Sequence, residues 1–480
     1  MTAKTRVVTP QRWSDHGEAV ARHTDGRLVS VWAGIPGEAA HASLVHAGRN
    51  KIQARFEAPA AGAHEGRRAP PCNRFSGCGG CPMMHLEPDW QRRARRAAAK
   101  AAFRAEGLED LVPADVVPSP DGDEEYRHVV KLSAGRSDHG NMRLGAYMRG
   151  SHHVLPIPTC TVATPQLREA MKVVSHHFID LDVHPYDEQT ETGTLRHVVM
   201  RQSRANGQIL VTLVVTRIDK RVRALADRIM GGLGAVAGVA AHINDQPGNA
   251  IFAPAPEPEE EGEEPRPPFK RLAGSPVIED TLAGVRLRIG PGDFFQANPG
   301  MADRIATDLV ELLAEWKERP FVDLYCGVGG FALVGARAHG WALGAEVVPG
   351  AVFRATENAQ LNHLPAEFVH GRIADLVPGL VERLGDRAPV IMLDPARRGL
   401  EKGVIEGVIA LKPAAVAYLS CNPRAMARDL RRFKGLGWTV QETRAYDMFP
   451  QTTHLEMLAL LLPPEAPEPA RRAPRRRVVR

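Results

Sequence analysis

The chain has 480 residues, 44% of them hydrophobic, 24% charged and 5% aromatic, which is a soluble globular profile too long for one ordinary domain. A formal charge of +5 and a pI near 8.9 suit an anionic partner without demanding one. The opening MTAKTRVVTP has no apolar h-region, and the longest apolar runs, such as 209–215, are strand-length. Neither secretion nor a membrane span is expected. In the cytoplasmic setting that follows, the six cysteines are read as ligands or nucleophiles before disulfides.

Residues 1–60 alternate short apolar runs, such as Arg27 to Trp32, with Gly, Asp and Pro punctuation, a spacing that predicts a small β-barrel. Cysteines follow at 72, 78 and 81. A helix is expected from Trp90 to a stop at Gly107, with Arg92, Arg93, Arg95, Arg96, Lys100 and Arg104 among alanines. From 61 to 290 strands such as Gln208 to Val215 mix with short helices, which predicts an α+β middle domain. Within it 254–268 hold six Glu and six Pro, a composition that cannot pack. From 291 to 463 strands at Pro320–Leu324, Trp341–Glu346, Val390–Leu393 and Ala415–Leu419 alternate with helical segments. That pattern predicts an α/β domain with a doubly wound, largely parallel sheet. The tail, 464–480, is basic and expected to be disordered.

Asp323-Leu324-Tyr325-Cys326-Gly327-Val328-Gly329-Gly330-Phe331 lies between a strand and an apolar helix, where glycines let the backbone turn beneath a ligand. The next strand ends in Glu346, placed to accept hydrogen bonds from two ribose hydroxyls. Spacing alone says only nucleoside cofactor; a dinucleotide and a plain glycine turn both compete. Cys326, inside the loop, is read as a packed side chain. At two later strand ends stand LDPARRG, 393–399, and SCNP, 420–423. Cys421 therefore faces the crevice, where a thiolate can attack if positive charge lowers its pKa. In FPQTTHLE, 449–456, Glu456 has apolar neighbours that would raise its pKa and suit it to proton transfer; His454 is read as structural. Cys72, Cys78, Cys81 and Cys160 could hold zinc or a [4Fe–4S] cluster, and their spacing leaves the two even.

DLYCGVGGF, LDPARRG, SCNP and FPQTTHLE, in that order, resemble the bacterial uridine-C5 RNA methyltransferases, over roughly 10–462. The resemblance implies a Rossmann-like S-adenosylmethionine-dependent methyltransferase domain, Cys421 as nucleophile and Glu456 as general base. It implies cofactor contacts from Gln296, Tyr325, Gly330, Glu346 and Asp394, and from Arg372, where many relatives place Asn or Asp. It favours a [4Fe–4S] cluster on the four cysteines, and 23S rRNA over tRNA as substrate. Residues 8–58 resemble a TRAM domain, a small RNA-binding barrel, with most of the likeness in Asp15 to Arg22. Arg92, Arg93, Arg95, Arg96, Arg127, His128 and Lys131 are candidates to face phosphates, and the arginine tail would add salt-sensitive RNA affinity. A monomer with no membrane partner is expected. The rivals are a cytosine-C5 methyltransferase and a non-catalytic RNA-binding metal protein.

Overall fold

The computed structural model describes residues 5–14, 18–248, 250–253 and 268–464. The acidic insertion, the basic tail and Asp15-His16-Gly17 therefore lie outside the described residues, apart from their flanking positions. Among the described residues the strands form four sheets.

The first sheet has six strands, and its two edges, Thr5–Val8 and Arg12–Trp13, are consecutive in the chain. Laid flat, six strands would hold the edges about 24 Å apart, whereas the connection spans at most about 14 Å. The sheet must curl on itself, which gives the expected small barrel around Val29, Val31 and Ile52. A seven-stranded sheet follows, built from 129 to 274, with the helices Pro165–Asp180 and Lys220–Gly232 packed on it. A two-stranded hairpin, Ile278–Ile289, leads into the last domain.

The last sheet runs in the order Ala366–His370, Ala342–Glu346, Phe321–Leu324, Val390–Leu393, Ala415–Ser420, Glu456–Leu462, Thr439–Tyr446. The first five strands are parallel, and Glu456–Leu462 is antiparallel to both its neighbours. Alternate residues face opposite sides, so Val322 and Leu324 enter one core and Phe321 the other. The sheet thus matches the expected doubly wound class, extended by an antiparallel pair.

The helix Pro88–Arg104 starts two residues before the expected Trp90, at a proline that is preorganised for a first turn, and Gly107 follows it with φ +70°. Its apolar side, Ala99 and Phe103, packs into the core of the last domain, so it bridges the boundary drawn from the sequence. Arg96 donates to the Pro113 carbonyl at 2.7 Å and Arg92 pairs with Asp89 at the surface, while Arg93 is exposed. The expectation that Arg95 faces phosphates is corrected here. Arg95 is fully buried and ion-paired with Asp447. An arginine on the buried stripe of an alanine-rich helix must find an acceptor inside the protein, and Arg95 does. Arg127 likewise lies 5.9 Å over the Phe449 ring. Among the described residues no helix is long and apolar enough to cross a membrane.

Candidate active site

Strand register builds the reactive centre. Ser420 pairs with Met457 at the end of an antiparallel ladder, which brings Cys421, just beyond Ser420, near enough to Glu456 for the carboxylate to act on its thiol. Beyond Cys421 the chain turns into the helix Pro423–Gly435. Asn422 caps it, accepting from the Arg424 N–H at 3.2 Å, with Pro423 at the first helical position. The same Asn422 amide donates to the Arg397 carbonyl at 2.8 Å, which ties SCNP to LDPARRG. Arg397 in turn donates to Nδ1 of His454 at 2.7 Å. Burial, and then the arginines 397, 127 and 95, push the His454 pKa down to about 4, so its ring is a neutral acceptor that orients Arg397.

The electrostatics of this group are unequal. Glu456 is 4% exposed, and burial followed by the neighbouring Asp394 raises its pKa well above the carboxylate range, while Arg397 opposes the shift. Burial pushes Asp394 up to about 7. Burial and the Glu456 carboxylate push the Cys421 thiol up to about 11, against the pull of Arg397. The sequence expectation of a thiolate favoured by positive charge thus holds only in part. Two acidic neighbours and desolvation outweigh one guanidinium.

The glycine loop is strained where a ligand would lie. Tyr325 adopts φ +109°, costly for any residue with a side chain, and its buried hydroxyl has no hydrogen-bond partner. Gly329 has φ +88°, and a Cβ there would meet Ala355 and Phe368 at 3.1 Å. Gly330 opens the following helix, Gly330–His339. Glu346 accepts from the N–H groups of Gly327, Val347 and Val348 at 2.7–3.0 Å, which fixes its carboxylate at the strand end. Asp323, not singled out from the sequence, is buried with both carboxylate oxygens unpartnered, and burial raises its pKa well above normal, helped by Asp394 and Glu346. A polar ligand is the natural partner for such a group. Asp394 therefore joins the two halves, acting on Asp323 and on Cys421 and Glu456.

Gln296 lines a cavity of about 560 Å³, which it shares with Phe449. Arg372 follows Gly371, whose N–H donates to the Glu346 carbonyl at 3.0 Å, and it is exposed, facing Glu401 at 3.6 Å. Cys326 is buried beneath the loop, with its thiol pKa raised by burial, as a packed side chain. Cys421, Arg397 and His454 open on a cleft of about 910 Å³, whose other wall is built from the segment after Cys78, the Pro88–Arg104 helix and the 147–152 hairpin.

The segment Asp447–His454 is held from far away in sequence. Arg95 donates to the Thr452 carbonyl at 2.9 Å, and Tyr126 Oη to the Pro450 carbonyl at 2.9 Å. Gln451, buried at φ +72°, donates to Asp123 Oδ2 and accepts from Gln91, both at 2.8 Å.

Cys72, Cys78, Cys81 and Cys160 line one cavity of about 30 Å³. Among the described residues no three His, Cys, Asp or Glu side chains are placed to hold a single metal ion. The N–H groups of Arg74 and Gly80 donate to the sulfurs of Cys72 and Cys78 at 3.4 Å. Burial pushes the Cys81 thiol up to about 12, against Arg127.

A family model described as tRNA (uracil-5-)-methyltransferase matches residues 386–463, the segment that carries Asp394, Cys421 and Glu456. An uncharacterized RNA methyltransferase of Geobacter sulfurreducens is 32% identical over 93% of this chain and 88% of its own length. One from Thermosynechococcus vestitus is 32% identical over 93% and 96%. The solved structure of the Pyrococcus abyssi tRNA (uracil-54, C5)-methyltransferase in complex with S-adenosyl-L-homocysteine superposes with a TM-score of 0.72 at 22% identity, covering 95% of this chain and all of that one. With relatives of this identity spanning nearly the whole chain, and the family segment coinciding with the reactive strand ends, the chain belongs to the RNA uracil-5-methyltransferase family.

Proposed function

We propose that the protein methylates C5 of a specific uridine in structured RNA, with Cys421 as nucleophile and Glu456 as general base. The observation that carries this is that Cys421 and Glu456 come together just beyond the Ser420–Met457 pair, with Asp394 and Arg397 beside them, at the end of an open cleft. C5 of uracil is a weak nucleophile. Addition of the Cys421 thiolate at C6 makes C5 enolate-like. S-adenosylmethionine, when bound, supplies an electrophilic methyl group to C5. Glu456 then takes the C5 proton, the C5–H electrons re-form the double bond, and the thiolate leaves. Burial beside Asp394 raises the proton affinity of Glu456, which is what this last step needs. Gln296, Tyr325, Gly330, Glu346, Arg372 and Asp394, joined by Asp323, would hold the cofactor. The orphaned Asp323 oxygens and Tyr325 hydroxyl fit such a polar ligand.

The three-part division, 1–60, 61–290 and 291–463, assigns RNA capture to a TRAM-like barrel and the cysteines to a [4Fe–4S] cluster held by Cys72, Cys78, Cys81 and Cys160. The cluster-bearing resemblance favours 23S rRNA. A tRNA target is the second reading, because the overlay with the tRNA enzyme covers 95% of the chain and so includes the barrel and middle domain. The chain is assigned to the cytoplasm as a monomer.

Two variants test the chemistry. Cys421→Ala should give no methylation and no covalent RNA complex. Glu456→Gln should attack and methylate, then stall as an adduct that survives denaturing electrophoresis and carries label from methyl-labelled cofactor. Full turnover by Glu456→Gln would remove the base assignment; an adduct from Cys421→Ala would remove the nucleophile. Mapping 5-methyluridine in rRNA and tRNA of a deletion strain separates the two substrates.

A further inference from the structure

The cleft in front of Cys421 does not end at the nucleophile. It runs on to the turn between the strands Met142–Tyr147 and Val154–Pro156. At that turn Tyr147 is 41% exposed and Met148 37% exposed, and the Tyr147 ring meets the His152 ring edge-on with centroids 5.8 Å apart. Large rings left in water at a hairpin tip gain nothing from burial on folding. Yet this tip is held firmly. Arg149 N–H donates to the Gly77 carbonyl at 3.0 Å, and Met148 pairs with Cys78 as an isolated bridge. The Arg149 guanidinium lies 3.8 Å over Trp32 of the barrel and donates to Glu18 at 2.6 Å. Arg149 thus fastens the hairpin to the barrel, while the two rings remain at the rim of the cleft. Arg397 and Arg424 line the same cleft and give it a positive field suited to a phosphate backbone.

We propose that Tyr147 and His152 form a stacking subsite for a nucleobase of the RNA that neighbours the uridine held at Cys421. This rests on the reading that the chain methylates RNA. A uridine drawn out of its stack leaves its neighbours without partners, and an aromatic face offers replacement stacking to a base of any identity. A preorganised platform, pinned on one side to the cysteine segment and on the other to the barrel, offers that face without an ordering cost.

The test combines binding, kinetics and crosslinking. Tyr147→Ala should raise KM for RNA from a deletion strain, and Kd for fluorescent oligouridine, by about 5- to 150-fold, the range for loss of one base–aromatic stack. Cofactor affinity and thermal melting should stay at wild-type values, and Tyr147→Phe, which keeps the ring, should bind as wild type. Wild-type protein irradiated with 4-thiouridine-substituted RNA should crosslink within 147–152, read by peptide mass spectrometry. Unchanged RNA affinity in Tyr147→Ala, an equal loss in Tyr147→Phe, or crosslinks lying wholly outside the hairpin would overturn the subsite. If wild-type protein methylated no RNA, the underlying reading would fall as well. Wild-type turnover beside an unaffected Tyr147→Ala would remove the subsite alone.

Discussion

Replacing Arg95 by Met removes a buried cation that holds, from the Pro88–Arg104 helix, the segment leading to His454 and Glu456. Arg95 is fully buried, paired with Asp447 and hydrogen-bonded to the Thr452 carbonyl. Methionine keeps most of the aliphatic volume, so the change isolates the charge. Breaking a buried ion pair from one side leaves the partner uncompensated, at a cost of about 3–5 kcal/mol. Asp447 would then be a buried carboxylate with one oxygen already unpartnered. The loss should therefore be partly recovered in Arg95→Met/Asp447→Asn, where no orphan charge remains. The pH dependence has a definite sign. Burial already raises the Asp447 pKa, against Arg95 and Arg92. Without Arg95 the folded-state value rises further above the unfolded one. The folded protein then binds the extra proton, and the destabilisation should shrink as pH falls through that raised value. Urea unfolding measures the total, and hydrogen exchange at 447–455 locates it, which matters in a chain of several cores. A cost below about 1 kcal/mol, or a double variant less stable than Arg95→Met, would refute the reasoning.

The ligand-free enzyme should alkylate slowly at Cys421 at neutral pH, with a rate that climbs toward about pH 11, and Arg397→Met should slow it further; a plateau below pH 8, read by mass spectrometry, would contradict the electrostatics. Asp323→Asn should raise the melting temperature of the ligand-free protein, because it removes an unpartnered buried carboxyl, while weakening cofactor binding in calorimetry; equal cofactor affinity would exclude Asp323 as a contact. Protein prepared without oxygen should be brown with about four irons per chain, and Cys78→Ser should lose them; one zinc per chain and no visible absorbance would replace the cluster. Gly329→Ala should lower stability by about 1 kcal/mol or more, since φ +88° disfavours a side chain and Ala355 and Phe368 crowd it; an unchanged unfolding midpoint would refute this.

Much of the site was legible because strand ends are local events. A hydrophobic run followed by SCNP or LDPARRG announces a turn at the edge of a sheet, and a parallel sheet sends such turns to one side. Cys421 and Asp394 were placed that way. Glu456 was less accessible to this reasoning, since its strand runs antiparallel and its closeness to Cys421 depends on register over the whole ladder. Asp323 lay within a recognised motif, and its lack of partners becomes visible only when every neighbouring group is in position. Arg95 carried the opposite error: charge density on a helix reads as a surface, and its partner Asp447 is 352 residues away. The aromatic pair at 147 and 152 gave no sequence signal, because single aromatics near a glycine turn are common on hairpins.

The long reach of the Pro88–Arg104 helix also has a temporal consequence. Its apolar face packs on the Pro423–Gly435 helix, and Arg95 waits for Asp447. At 5–20 residues per second, roughly 20 to 70 s separate the synthesis of the helix from that of its counter-ion. The barrel and middle sheet can mature as each emerges, since their cores are drawn from nearby sequence. Only the counter-ion of Arg95 and the Glu456 strand come last, so the reactive centre is assembled at the end of translation, and a nascent chain stopped before 447 carries Arg95 without its partner.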